Sequence, residues 1–329
     1  MRVRLLIVGL CATIALACNE RPEQRARPAQ TPPTNAPADV SHGEAPIGSA
    51  VGRAPIDPVA PPRSTSRLQR LRIAIKHAKI MIADGVTYDA WTFDGRVPGP
   101  VLRVTEGDTV DFTLVNQAPM PHSLDFHAAE IAPSRAYVNL MPHDSLTYRF
   151  VARVPGAFMY HCGTAPVALH IANGMYGAII VDPRQGRAPA KEFVFVQSEF
   201  YTKMLSDSSR TIDWEKLLGL APDYVVFNGR EAEYAHHPIA VPVGERLRMY
   251  VVNAGPNRFS AFHVVGAIFE RVYLDGSLAH PLEGVQTVTV PVGGGAIFET
   301  RLVEAGTYPF VSHAFADATK GAVGMFKAH

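Results

Sequence analysis

Cys162 is the residue from which the chemistry of this chain can be read. It stands in Tyr160-His161-Cys162-Gly163-Thr164-Ala165-Pro166-Val167-Ala168-Leu169-His170, followed by Ile171-Ala172-Asn173-Gly174-Met175, with His122 40 residues upstream. Two imidazoles, a thiolate and a weak thioether are the donor set of a blue-type (type 1) copper site. The thiolate suits the cuprous ion and the imidazoles suit the cupric ion, so a site holding both passes electrons with little rearrangement. Singly, Cys162 and Met175 read as core filler and His170 as a loop residue. The spacing of all four is what points to a metal.

Strand parity separates a second set from the first. Adjacent residues of a strand point to opposite faces, so His161 faces out of its domain if Cys162 faces in. In Pro121-His122-Ser123-Leu124-Asp125-Phe126-His127, His122 and His127 fall on opposite faces of an extended segment, whereas Asp125 and His127 share one. His122, Cys162, His170 and Met175 are therefore expected inside, and Asp125, His127 and His161 outside, as half of another metal site. His263, in Ser260-Ala261-Phe262-His263-Val264-Val265-Gly266, and His313, in Phe310-Val311-Ser312-His313, are the candidates for the other half. His236, His237 and His280 read as solvated turn residues, and His42 and His329 as linker and tail residues.

The elements that must hold these groups are strands. The chain has 329 residues, 47% hydrophobic and 19% charged, enough for two domains and too apolar for a disordered chain. Its formal net charge of +1 excludes a broad basic surface for nucleic acid. Ile73–Ile75, Val101–Val104, Thr109–Val115 and Leu146–Val151 are short β-branched or aromatic runs between Gly-Asp, Pro-Gly and Asn-Gly turns. One helical pattern is expected, over Ile212–Leu220. The grammar then repeats: Gly107 and Gly244, like Asn116 and Asn253, lie 137 residues apart. Gly174-Met175-Tyr176-Gly177 answers to Gly321-Ala322-Val323-Gly324, so Ala322 stands where Met175 would and the second copy has no cysteine. Two copies of one sandwich are expected, with a boundary near 182–189.

The N-terminus reads as an export signal. Arg2 and Arg4 precede a 13-residue apolar run, Leu5 to Ala17, which ends in Ala15-Leu16-Ala17-Cys18. That box is similar to a bacterial lipoprotein cleavage site, in which Cys18 becomes the lipidated first residue of an exported protein held on a membrane only by its lipid. Asn19 after it favours the outer membrane in a double-membraned cell. Cys11 would leave with the signal and Cys18 would be blocked, so Cys162 is the one remaining thiol in an oxidising compartment. Ten prolines between residues 19 and 67 predict a semi-extended, disordered tether. The expected organisation is residues 1–17 signal, 18–67 lipid-anchored linker, 68–184 first domain with the type 1 site, and 185–329 second domain.

From about residue 71 to 329 the chain resembles the copper-containing nitrite reductases, and most closely the class with a short Cys-to-His loop, some of whose members are lipid-anchored. The block from Phe158 to Val181 carries the likeness. The resemblance implies an all-β fold of two tandem Greek-key cupredoxin sandwiches, assembled as a homotrimer. It implies type 1 copper on His122, Cys162, His170 and Met175, and catalytic type 2 copper on His127 and His161 with His313 from the neighbouring subunit, one copper of each kind per subunit. It further implies an acid–base pair, Asp125 and His263, with Val265 shaping the pocket. The implied reaction, a step of denitrification, is one-electron reduction of nitrite to nitric oxide and water. The electron would pass through the Cys162–His161 link. A cupredoxin or cytochrome c would deliver it, docking on the apolar loop Ala165–Leu169 around an exposed edge of His170.

Two departures from the family bear on substrate preference. Ala128-Ala129-Glu130-Ile131-Ala132-Pro133-Ser134-Arg135 replaces a glycine-rich stretch, and Val265 replaces an isoleucine. A laccase-type multicopper oxidase needs paired His-x-His motifs and a His-Cys-His core, and here Gly163 follows Cys162 and no His-x-His occurs. The remaining alternatives are a related two-domain copper oxidoreductase with another small substrate and a non-catalytic type 1 copper electron carrier.

Overall fold

The computed structural model describes residues 55–276 and 278–329. The signal segment, Cys11, Cys18, His42 and the tether up to residue 54 lie outside them. The first sandwich comprises β1 (Leu68–Ala83), β2 (Val86–Phe93), β3 (Leu102–Thr105), β4 (Thr109–Asn116) and β5 (Asp125–Phe126), then β6 (Ser145–Val151), β7 (Gly156–His161) and β8 (Tyr176–Asp182). Two short helices interrupt it, α1 (Pro133–Ala136) and α2 (Val167–Ala172).

The second half continues with β9 (Lys191–Phe200), β10 (Thr202–Met204), β11 (Ser209–Ile212), β12 (Tyr224–Phe227), β13 (Ile239–Val241) and β14 (Arg246–Asn253). It ends with β15 (Ser260–Val264), β16 (Arg271–Leu274), β17 (Thr287–Val290), β18 (Gly295–Arg301), β19 (Gly306–Ser312) and β20 (Val323–Ala328). Its helices are α3 (Trp214–Leu218), α4 (Glu233–His236) and α5 (Phe315–Ala318).

The repeat seen in the sequence is a repeat of topology. In the first half β2-β1-β4-β6 form one sheet and β3-β8-β7-β5 the other; in the second, β12-β9-β14-β18 and β13-β20-β19-β15 take the same places. The parallel pairs correspond as well, β1 with β4 and β9 with β14, then β3 with β8 and β13 with β20. The register agrees: Ile75 lies opposite Asn116, and Gln197 opposite Asn253. Each sandwich buries its own core, with Phe112, Phe126, Cys162 and Met175 in the first and Phe195, Phe262, Phe298 and Phe310 in the second. A third core fills the seam between them, where Ile80, Tyr88, Met159 and Ile180 meet Val196, Tyr250, Val252 and Ile297.

Three local expectations need correction. The strand expected at Ile73–Ile75 runs 16 residues, because its first part pairs with β4 and its second part with β2. The helix expected over Ile212–Leu220 is five residues long: Ile212 ends β11, Asp213 caps the helix by accepting from the Lys216 amide, and Gly219 closes it. The tether does not stay free to residue 67. Its end, from residue 55 on, lies along the body, with the Ile56 amide on Glu233 (2.8 Å), the Ala60 amide on the Glu192 carbonyl (3.0 Å) and Ala60 buried. Prolines set an extended backbone without sheet partners, and such a strap can still dock where carbonyls and acids await it.

That strap closes an ionic network at the seam. Buried Arg103 gives Nε to Asp182 (2.7 Å), Nη2 to Glu192 (2.7 Å) and Nη1 to the Pro61 carbonyl (2.8 Å). Glu192 also receives Arg248, whose Nε binds Glu299, and Arg63 reaches Asp182 from the strap. Burial alone would lower the Arg103 pKa, but the bond to Asp182 and the charges around it raise it above its ordinary value. Removing one partner of such a network leaves a buried charge uncompensated. Arg103→Ala is expected to destabilise the protein by about 3 kcal/mol or more, seen as a lower urea midpoint at unchanged slope.

Candidate metal centres

The two sets of donors lie on the two sides of one strand end. β7 delivers His161 as its last residue and Cys162 follows at once, the Cys162 amide bonding to the Met175 carbonyl (3.1 Å). The Cys162 side chain enters the first core and is fully buried, as are His122 and Met175, while His170 is 1% exposed. His161, paired with Asp125 across β5 and β7, leaves on the opposite face.

In the inner set, Cys162 Sγ lies 3.3 Å from His170 Nδ1 and 3.9 Å from His122 Nδ1, and the two Nδ1 atoms are 3.1 Å apart. Met175 is packed in the same core. The Ser123 amide points at Sγ (3.4 Å), and the Ser123 hydroxyl accepts from the Gly163 amide and holds Thr164 Oγ1 at 3.2 Å. Burial, then the nearby His170 and His77, push His122 down to about 2; burial, then His77, push His170 down to about 4. Both imidazoles are thus held neutral, as metal ligands must be. Three buried donors, one a thiol and two neutral imidazoles, fit copper.

The outer set makes the same demand in another way. His161 Nδ1 donates to the Cys162 carbonyl (2.9 Å) and His127 Nδ1 donates to the Gly293 carbonyl (3.0 Å). Carbonyl oxygens only accept, so both protons sit on Nδ1 and both Nε2 atoms are lone pairs. These lone pairs face one another at 3.1 Å, and Asp125 Oδ2 stands 4.0 Å from His161 Nε2. Two acceptors aimed at each other beside a carboxylate call for a cation. Burial, the largest effect, and His127 lower the His161 pKa against the opposing pull of the Cys162 carbonyl and Asp125.

The remaining candidates lie apart from both clusters. His263 and His313 sit together on the outer sheet of the second sandwich, rings 5.4 Å apart, with His263 Nδ1 donating to the Gln286 carbonyl (2.7 Å). Val265 is 44% exposed there and Phe315, 4.7 Å from the His313 ring, is 59% exposed. The second sandwich keeps the frame of the inner set without its donors. Ser312 repeats Cys162, its amide on the Ala322 carbonyl and its Oγ under the Ala261 amide; Asp317, whose carbonyl receives the Ala322 amide, repeats His170. Register places His263 opposite Val311 as Asp125 is opposite His161, so His263 answers to Asp125 rather than to His127.

One expectation fails here. His170 presents no exposed edge, because it lies on the buried side of α2 and Trp91 packs edge-on against its ring at 4.8 Å. Ala165, Pro166 and Val167 are exposed, but they surround a covered imidazole. The chain turns at His127 and Ala128, the Ala129 amide bonding to the Phe126 carbonyl (3.1 Å), and leads on into α1. Sequence reasoning missed Ser123, Trp91 and His77. His77 carried a signal: it has the parity of buried Ile73 and Ile75 on β1.

Similarity to known proteins agrees with this geometry. The family described as multicopper oxidase matches residues 74–186. A copper-containing nitrite reductase of Neisseria gonorrhoeae is 39% identical over 99% of this chain and 88% of its own length. One from Neisseria meningitidis serogroup B is 42% identical over 87% of this chain and 75% of its own. The solved structure of a copper nitrite reductase from Nitrosomonas europaea aligns with TM-score 0.74 at 36% identity, covering 80% of this chain and 94% of that one.

The depressed imidazole pKa values make a pH prediction for metal-free protein. Below the ordinary value near 6.5 the unfolded chain takes up protons that His170 refuses to about pH 4 and His122 to about pH 2. Stability should therefore be level above pH 7 and fall as pH drops from 6.5 towards 4, by up to about 1.4 kcal/mol per pH unit for each group. Urea titrations at pH 7.5, 5.5 and 4.5 would read it, with a shallower fall in His122→Phe.

Proposed function

Because the chain belongs to the copper-containing nitrite reductase family, we propose that its inner donor set receives electrons and its outer set is where nitrite is reduced. The protein is an oxidoreductase that reduces nitrite, and copper is its metal. On this reading His122, Cys162, His170 and Met175 hold type 1 copper. His127 and His161 hold type 2 copper together with the partner subunit's His313, one copper of each kind per chain. Copper, when bound, supplies one-electron redox change and, at the three-histidine site, an open position for an anion.

The observation that carries the outer site is the pair of Nε2 lone pairs facing each other at 3.1 Å with their tautomers fixed by carbonyls. Two imidazoles leave that site one ligand short of a three-histidine catalytic set. His313 is not among them within the chain. It lies on an exposed face beside exposed Phe315 and Val265, apolar surface of the kind that another subunit covers, which favours the homotrimer.

Reduction of nitrite to nitric oxide and water takes one electron and two protons. Asp125, at the mouth of the outer set, holds one proton and hands it to the leaving oxygen. His263 brings the second across the same subunit boundary as His313, its Nδ1 committed to Gln286 and its Nε2 free to exchange a proton. Val265, two residues on, limits the pocket. Cys162 and His161 are joined by a single peptide unit, so the electron's route between the two sets is covalent. A cupredoxin or cytochrome c is the proposed donor. Export and lipid attachment at Cys18 complete the proposal and place the enzyme on the outer side of a membrane, held by its lipid alone, as part of denitrification.

Laccase-type chemistry is disfavoured by the absence of any His-x-His, and a bare electron carrier would have no use for Asp125, His127 and His161 converging. Three variants test the assignment. Cys162→Ser is expected to abolish the intense visible thiolate-to-copper band. His313→Ala is expected to halve the copper bound per chain while the colour persists. Asp125→Asn is expected to slow nitrite turnover by about 100-fold with both metals still bound, and an unchanged rate would remove it from the proton path.

A further inference from the structure

His122 is a fully buried ligand candidate, yet its outer nitrogen is not idle. Its Nε2 lies 3.4 Å from Nε2 of His77, a half-buried residue of β1. His77 is opposite Trp91 in the β1–β2 register, and the two rings stack at 5.5 Å and 10°. Trp91 in turn lies edge-on to both His122 (5.6 Å) and His170 (4.8 Å). The pair thus forms the lid of the inner set, and His77 is the member of that lid that bonds to a ligand ring.

Copper ligation fixes the roles. With Nδ1 of His122, which faces Cys162 Sγ and His170, given to the metal, its proton would sit on Nε2, so His122 would donate and His77 Nε2 accept. An acceptor on the outer N–H of a ligand imidazole orients the ring and raises its basicity. A more basic ligand stabilises the more highly charged, cupric state. The second sandwich supports the directionality of this position. Two residues beyond Gln197, as His77 is two beyond Ile75, Glu199 accepts from the Asn257 and Arg258 amides just ahead of β15. In both copies this position of the first strand reaches the segment that leads into the metal-facing strand; only in the first does it carry an imidazole.

We propose that His77 is a positioning residue for His122 that lowers the reduction potential of the electron-receiving site, with Trp91 holding the His77 ring in place. The proposal rests on the assignment of His122 and Cys162 to type 1 copper.

The test compares copper-loaded unaltered protein with His77→Phe and His77→Gln by visible spectroscopy and redox titration. Phe keeps the stack on Trp91 and removes the acceptor. It is expected to retain the thiolate band and shift the redox equilibrium about tenfold towards the reduced form, about 59 mV upward for a one-electron couple. Gln, whose carbonyl oxygen can accept the same N–H, is expected to return the potential most of the way. A shift of less than about twofold in His77→Phe, or an equal shift in His77→Gln, would overturn the proposal, since a purely packing role distinguishes neither. Absence of a thiolate band from the unaltered protein would instead overturn the copper assignment beneath it.

Discussion

Alternation along an extended backbone is the constraint on which this molecule turns. At the end of β7 one peptide unit separates a thiol that enters a closed core from an imidazole that leaves it. A strand sends adjacent side chains to opposite faces, whereas in a helix they diverge by only about 100° and in a turn their directions depend on the loop. The strand therefore sets both the distance and the covalent route between two donor sets in different environments. The inner one is buried and covered by Trp91, an environment that suits electron exchange without ligand exchange. The outer one is open, with its imidazole tautomers locked by the Cys162 and Gly293 carbonyls. Cys162 thus serves both sides: its amide is joined to His161 through one peptide unit, and its carbonyl accepts the Nδ1–H that turns the His161 lone pair outward.

Duplication of the sandwich explains how one chain can supply both halves of such an arrangement. The two frames share strand order and register, down to an amide pointing at Cys162 Sγ in one and Ser312 Oγ in the other. In the second copy serine, aspartate and alanine stand where cysteine, histidine and methionine stand in the first, and Asp317 is bound by Arg258 instead of a metal. Two imidazoles remain on the outer face of the second copy, His263 and His313, with their rings 5.4 Å apart. The seam, with its shared core and the Arg103 network strapped by residues 55–63, holds the two frames as one body.

Much of this was legible in the residues. Parity separated Cys162 from His161, because a strand's period of two leaves no freedom once Cys162 is placed, and separated His122 from His127; His170 and Met175 joined the inner set by donor type and spacing. The repeat was visible from Gly107 and Gly244, because glycine is the residue least strained at the positive φ that both turns adopt. Other features were hidden for physical reasons. Pro-rich composition reports the lack of a hydrophobic period, not the presence of carbonyl and carboxylate partners, so the docking of Ala60 and Arg63 could not be read. The covering of His170 depends on Trp91, brought over it from β2 by tertiary packing with no trace in local spacing. Likewise His263 answering to Asp125 follows from strand register, which short insertions between the copies conceal.

Anomalous diffraction at the copper edge from crystals of the copper-loaded protein tests the placement of the two donor sets. Two peaks per chain are predicted on opposite sides of β7, one among Cys162 Sγ and the Nδ1 atoms of His122 and His170, the other at the Nε2 atoms of His127 and His161 and met by the partner subunit's His313. A single peak per chain, or two on the same side of the strand, would contradict it.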